Sequence, residues 1–196
     1  SITVGKVSTS LANSGLEVDA NSSVTSLTVG HTTPVSIASG ITLSGAINVT
    51  GGSIKLDEAG TLGADVSMSG GTLDVDKTST ISGALTQSGD IEIDVKAGET
   101  LTYSGAAVSL GAKTLTLKGG GTLGNTNALV LNDASSKLLL NSITVGKVST
   151  SLANSGLDVD ANSSVTSLYV GHTTPVSIAS GITLSGGITV TARSEE

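Results

Sequence analysis

Residues 1–50 of this 196-residue chain recur as residues 142–191 with four differences: Glu17/Asp158, Thr28/Tyr169, Ala46/Gly187 and Asn48/Thr189. Forty-six identities in fifty positions mark a copied segment, so the fold of the first fifty residues must be one that can recur along a chain. The chain reads as one full repeat unit (1–141), the opening third of a near-identical second unit (142–191), and a tail or cap (192–196). That is the pattern of a piece of a longer tandem array.

A shorter period lies beneath the long one. Apolar-polar alternation, the strand signature, recurs in short runs such as Ile2-Thr3-Val4, Leu27-Thr28-Val29, Ile47-Asn48-Val49, Leu73-Asp74-Val75 and Leu115-Thr116-Leu117. Between the runs stand turn residues, among them Ser39-Gly40, Gly51-Gly52, Ser69-Gly70-Gly71 and Gly119-Gly120-Gly121. No window carries an apolar stripe at the helical period, so helix is expected to be nearly absent. Residues 53–71 and 72–90 are each 19 long and read alike, and about seven such units make 141.

Repeats of about 20 residues, each with several short strands, are the mark of a solenoid. The expected fold is all-β, a parallel β-helix (β-solenoid) with rungs of about 20 residues; a β-sandwich is the competing fold. Stacked at roughly 4.8 Å, about ten rungs would make a rod of roughly 50 Å. Inward positions would stack Val on Ile on Leu. Outward Thr, Ser, Asp and Lys would meet water, and Gly and Asn would take the positive φ of the corners. Composition agrees: aromatics are 1%, Phe, Trp and Cys are absent, and Gly numbers 26. Sandwiches use longer strands and aromatic core anchors. Here a narrow aliphatic interior is all the chain can fill.

Charge and composition also exclude functions. A net charge of −7 with nine scattered basic residues, Arg193 the only arginine, offers no phosphate-binding surface for nucleic acid. Lack of cysteine removes disulfides, thiolate chemistry and Cys-ligated zinc. No apolar run is long enough to span a membrane.

The search for chemistry returns structural readings. Carboxylates two apart occur at Glu17/Asp19, Asp74/Asp76, Glu92/Asp94 and Asp158/Asp160, which places each pair on one strand face. An acid-base couple or a calcium site would use such pairs, but the residues between them are the apolar inward ones, so the pairs read as a solvated outer face. The run 19–23, repeated at 160–164, is rich in oxygen ligands yet lacks the mid-loop Gly and terminal Glu of an EF-hand. His31 and His172 are one position in two copies, and each reads as a turn histidine before Pro34 or Pro175. Gly119-Gly120-Gly121 has no following Gly-Lys-Ser/Thr and reads as a turn. Tyr103 and Tyr169 are the only rings available to stack on a sugar. Thr100-Leu101-Thr102 and Thr114-Leu115-Thr116 are small Thr-x-Thr ladders that do not recur from rung to rung. No catalytic, cofactor-binding or metal residue is assigned, and no cofactor is expected.

Segments such as Gly71-Thr72-Leu73-Asp74-Val75 and the run 114–123 resemble rungs of bacterial surface β-helices, the autotransporter passenger domains and filamentous adhesins. The resemblance is compositional, covers the whole chain, and carries over no functional residue. It implies a secreted or cell-surface stalk or adhesive fibre, not an enzyme. Self-association end to end or with tandem neighbours is the expected partnership, with a host glycan or protein as a further one. The alternatives are a carbohydrate-binding or polysaccharide-acting β-helix and an ice-binding protein.

Overall fold

The computed structural model describes residues 2–9, 16–30, 35–63, 65–150, 155–171 and 175–191. The first three turns alternate a long strand with a short one: β1 (Ile2–Thr9), β2 (Leu16–Val18), β3 (Ser22–Val29), β4 (Val35–Ile37), β5 (Thr42–Val49), β6 (Ser53–Leu56). Four turns of three short strands follow. They are β7 (Thr61–Leu62), β8 (Val66–Met68), β9 (Thr72–Val75); β10 (Ser79–Ile81), β11 (Leu85–Gln87), β12 (Ile91–Val95). Then come β13 (Thr100–Tyr103), β14 (Val108–Ser109), β15 (Thr114–Lys118); β16 (Thr122–Asn125), β17 (Leu129–Leu131), β18 (Lys137–Asn141). The long-short pattern returns with β19 (Thr144–Thr150), β20 (Gly156–Val159), β21 (Ser163–Gly171), β22 (Val176–Ile178) and β23 (Leu184–Thr191). No helix occurs among the described residues.

Every strand pair is parallel and joins one turn to the next, as in β1 to β3 and β12 to β15. Fourteen strands form one sheet and nine form the other, in the order β2-β4-β6-β9-β12-β15-β18-β20-β22. The chain is therefore a parallel β-solenoid of nine turns and the first strand of a tenth, with rungs of about 20 residues, not a sandwich. Each turn buries one aliphatic side chain over the next. Ile54, Leu73, Ile93, Leu117, Leu140 and Val159 follow one another in register through the second sheet, all fully buried. Each such side chain contributes about 1.5–3 kcal/mol of burial. Tyr169 points outward between buried Leu168 and Val170, as the alternation requires.

The first sheet forks. β5 pairs with β7 through Thr42 and Leu43 and with β8 through residues 47–49, and β16 and β17 both rejoin β19. In the long strands the fork is closed by a bulge. Gly45, at φ 113°, faces the irregularity between Val24 and Ser26, and a Cβ on it would collide with the Val24 carbonyl oxygen. Gly186, at φ 121°, repeats this against the Val165 carbonyl oxygen. In the middle turns the bulge opens into a corner, and Tyr103 fills one of these from inside.

Among the described residues asparagine does not take the positive φ expected of it at corners. Among the described residues the only non-glycine with positive φ is Ser142, at 57°. The asparagines act through their side chains instead. Asn21 Oδ1 accepts from the Thr42 amide (2.8 Å) and Asn132 Oδ1 from the Gly111 amide (2.9 Å), each bridging adjacent turns. An amide that spans the inter-turn gap satisfies backbone groups that a corner would otherwise leave unpaired.

Candidate functional site

The outer face of the first sheet is a field of hydroxyls. Thr42, Thr61, Thr80 and Thr102 stand in register across β5, β7, β10 and β13. A second column runs Thr100, Thr122, Thr144, Ser164 and Ser185 across β13, β16, β19, β21 and β23. Hydroxyls on adjacent turns also bond to one another: Ser23 donates to Thr3 Oγ1 (3.1 Å), and Thr144 and Ser164 of the second column lie 2.9 Å apart. Sequence periodicity missed these ladders. The steps from Thr42 to Thr61 and from Thr61 to Thr80 are 19 residues but the step to Thr102 is 22, because the corners vary in length. A test at one fixed period cannot see them.

A polar groove opens on this face in both copies of the repeat. Asn21, Ser22, Ser23, Thr42 and Ser44 line one of about 310 Å³. Their counterparts in the second copy, Asn162, Ser163, Ser164, Thr183 and Ser185, line one of about 380 Å³ with Ser142, Thr144 and neighbours. The same bonds shape both. Asn162 Oδ1 accepts from the Thr183 amide (2.9 Å) as Asn21 does from Thr42, and Ser22 and Ser163 donate to the carbonyls of Ala20 and Ala161 (2.7 and 2.9 Å). The signal in the sequence was the recurring Asn-Ser-Ser followed at a distance by Thr-x-Ser. The run 19–23 thus spends its asparagine oxygen on the next turn.

The carboxylate pairs lie on the outer face of the second sheet, where lysines from adjacent turns meet most of them. Lys55 Nζ is 2.9 Å from Asp76, with Lys96 3.8 Å away on its other side. Lys118 lies 2.8 Å from Glu92 and 3.4 Å from Asp94, and Lys137 lies 2.8 Å from Asp158. The hydrogen bond from Lys55 holds Asp76 below the usual carboxylate value and raises Lys55 itself. Asp74 is pushed up, first by burial and then by the charge of Asp76. Lys118 and Lys137 are raised by their bonds to Glu92 and Asp158. Glu17 and Asp19 instead border a recess of about 160 Å³ with Asp57 and Glu58.

The grooves present hydroxyl and amide hydrogen-bonding groups, and the second sheet presents paired surface charge. Among the described residues no three His, Asp or Glu are grouped to hold a metal. His31 and His172 lie outside the described residues. Gly119-Gly120-Gly121 is a turn tied to the rungs on both sides, with the Gly121 amide on the Val95 carbonyl (2.8 Å) and the Gly120 amide on that of Ser142 (2.6 Å). Tyr103 is buried, which leaves Tyr169 as the accessible ring.

Fold and surface together define the class: a parallel β-solenoid with one hydroxyl-rich face and one lysine-carboxylate face. No family profile, curated protein or solved structure matches the chain.

Proposed function

We propose that the chain is a structural or adhesive repeat segment of an extracellular or cell-surface rod, without catalytic activity. The observation that carries this reading is the phase of the repeat. From β1 to β19 the first sheet advances seven turns, and there the copied residues begin again in the same register and with the same bulge. A unit that closes on a whole number of turns extends a rod indefinitely, and repeat solenoids are stabilised by each turn on its neighbour. Length and display gain from such copying. An active site gains nothing from it.

Arrays of two, three and four units, measured by small-angle scattering, are expected to lengthen by about 34 Å per unit, seven turns at about 4.8 Å. Displayed on a non-adherent bacterium, they should promote attachment or clumping in step with unit number. Arrays that collapse instead of lengthening, or that depolymerise a polysaccharide, would refute the reading.

The threonine columns favour a second reading, in which the hydroxyl face binds a periodic, uncharged lattice such as ice or an ordered polysaccharide. Thermal hysteresis at millimolar protein, or retention on an insoluble polysaccharide, would support it. Absence of both would remove it.

A further inference from the structure

The edge strand β1 and the interior strand β19 have the same sequence at 2–9 and 143–150, but different surroundings. Ile2 and Val4 are 65% and 39% exposed, whereas their counterparts Ile143 and Val145 are 2% and 0% exposed. The turn that covers the second pair is 122–141: Leu123 pairs with Val145, and Leu129 with Val148. Asn125 locks that covering turn in place. Its Oδ1 accepts from the Gly146 amide (2.9 Å) and its Nδ2 donates to the Lys147 carbonyl (2.8 Å). Position 146 must be glycine for this, since a Cβ there would collide with the Asn125 carbonyl oxygen and lie 2.7 Å from Oδ1. Gly5 is the same position in β1, and nothing lies within 4 Å of where its Cβ would be. A glycine with open space and no positive φ has no local reason to be glycine. It acquires one if a turn carrying Asn125 is laid upon it.

We infer that the free edge of β1 is a docking surface for the seventh turn, residues 122–141, of another copy of the repeat unit. Asn125 of that copy takes the Gly5 amide and the Lys6 carbonyl, while its Leu123 and Leu129 cover Val4 and Val7. The biological setting rests on the repeat-rod reading above; the complementarity rests on the junction already present between β16–β18 and β19–β20. The opposite end calls for a different turn. Ile188 and Val190 are 47% and 62% exposed, whereas their counterparts Ile47 and Val49 are buried against Val66 and Met68 of the following turn. The two ends of the 196-residue chain are thus not the two halves of one native junction, whereas the ends of a whole number of units are.

The test is a two-unit chain in which residues 51–141 are appended after Thr191, placing a seventh turn at its end. Sedimentation and light scattering compare it with the 196-residue chain and with a version ending at Thr191. The expected result is end-to-end association of the two-unit chain at least tenfold tighter than that of either shorter chain. Gly5→Val should return it to their level without moving the unfolding midpoint, because position 5 has room for the side chain. Association no tighter than that of the shorter chains, or undiminished by Gly5→Val, would overturn the docking surface. Scattering on the same samples separates this from the parent reading: a rod of double-unit length without association sinks only the docking surface, and a chain that is not a rod sinks both.

Discussion

The Tyr103 hydroxyl accepts a hydrogen bond from the Leu85 amide, 3.1 Å away on the preceding turn, and donates one to the Ala106 carbonyl at 2.7 Å. One side chain thus satisfies two backbone groups at a corner where the strand ladder is interrupted. Tyr103→Phe keeps the ring but leaves both groups without this partner. A loss of about 1–3 kcal/mol is expected, read from the denaturation midpoint. An unchanged midpoint would mean that water replaces the hydroxyl there.

Inward and outward neighbours should differ sharply. Ile93 is fully buried, while Glu92 beside it faces out to Lys118. Ile93→Asp strands a charge in an interior with no partner and should cost several kcal/mol. Glu92→Ala removes one partly exposed ion pair and leaves Lys118 with Asp94, so a change within about 0.5 kcal/mol is expected. Equal sensitivity to the two substitutions in chemical denaturation would contradict the stacked-turn core.

Glycine tolerance should follow contact rather than composition. Gly45→Ala combines positive φ with a collision on the Val24 carbonyl oxygen, so it must shift the backbone of the bulge. Gly124→Ala meets nothing closer than 3.8 Å and has no positive φ. The first should lower the thermal midpoint by several degrees and the second by little. Similar losses at both positions would show that the bulge adjusts at no cost.

The lysine-carboxylate face sets the response to acid. Asp76 is depressed in the folded chain, so its contribution is present above the unfolded carboxylate range, about pH 4, and lost as pH falls through the lower folded value. Asp74 is raised, so its sign is opposite: its ionised form is disfavoured by folding, and protonation relieves that cost. Asp74→Asn should therefore raise the unfolding midpoint at neutral pH and have no effect in strong acid, where both states are protonated. Asp76→Asn should lower the midpoint at neutral pH. A matched pair of melts at the two pH values checks both signs, and a lower midpoint for Asp74→Asn at neutral pH would refute the first.

Much of the fold was legible because alternation is local. Val75, Ile93 and Leu117 declare themselves inward by standing between Asp, Glu, Thr and Lys, and the outward Tyr169 confirmed which face was which. The copied fifty residues announced the long repeat, and the like stretches 53–71 and 72–90 announced the solenoid period. The hydroxyl columns, the ladder from Lys55 through Asp76 to Lys96, and the buried Asn125 were not legible. Each joins residues on successive turns, whose alignment depends on how much chain a corner absorbs.

Sequence alone determined that the alternating runs are strands, which side their residues face, and that the structure must repeat, because backbone pleat and burial act over two or three neighbours. Tertiary structure alone decided which outward residue sits above which. The inter-turn offset is not constant along the rod: Ser53 stands against Thr72, whereas Glu92 stands against the more distant Thr116. Local pattern says nothing of that offset, because it is set by the length and geometry of each corner and by which aliphatic side chains then meet inside.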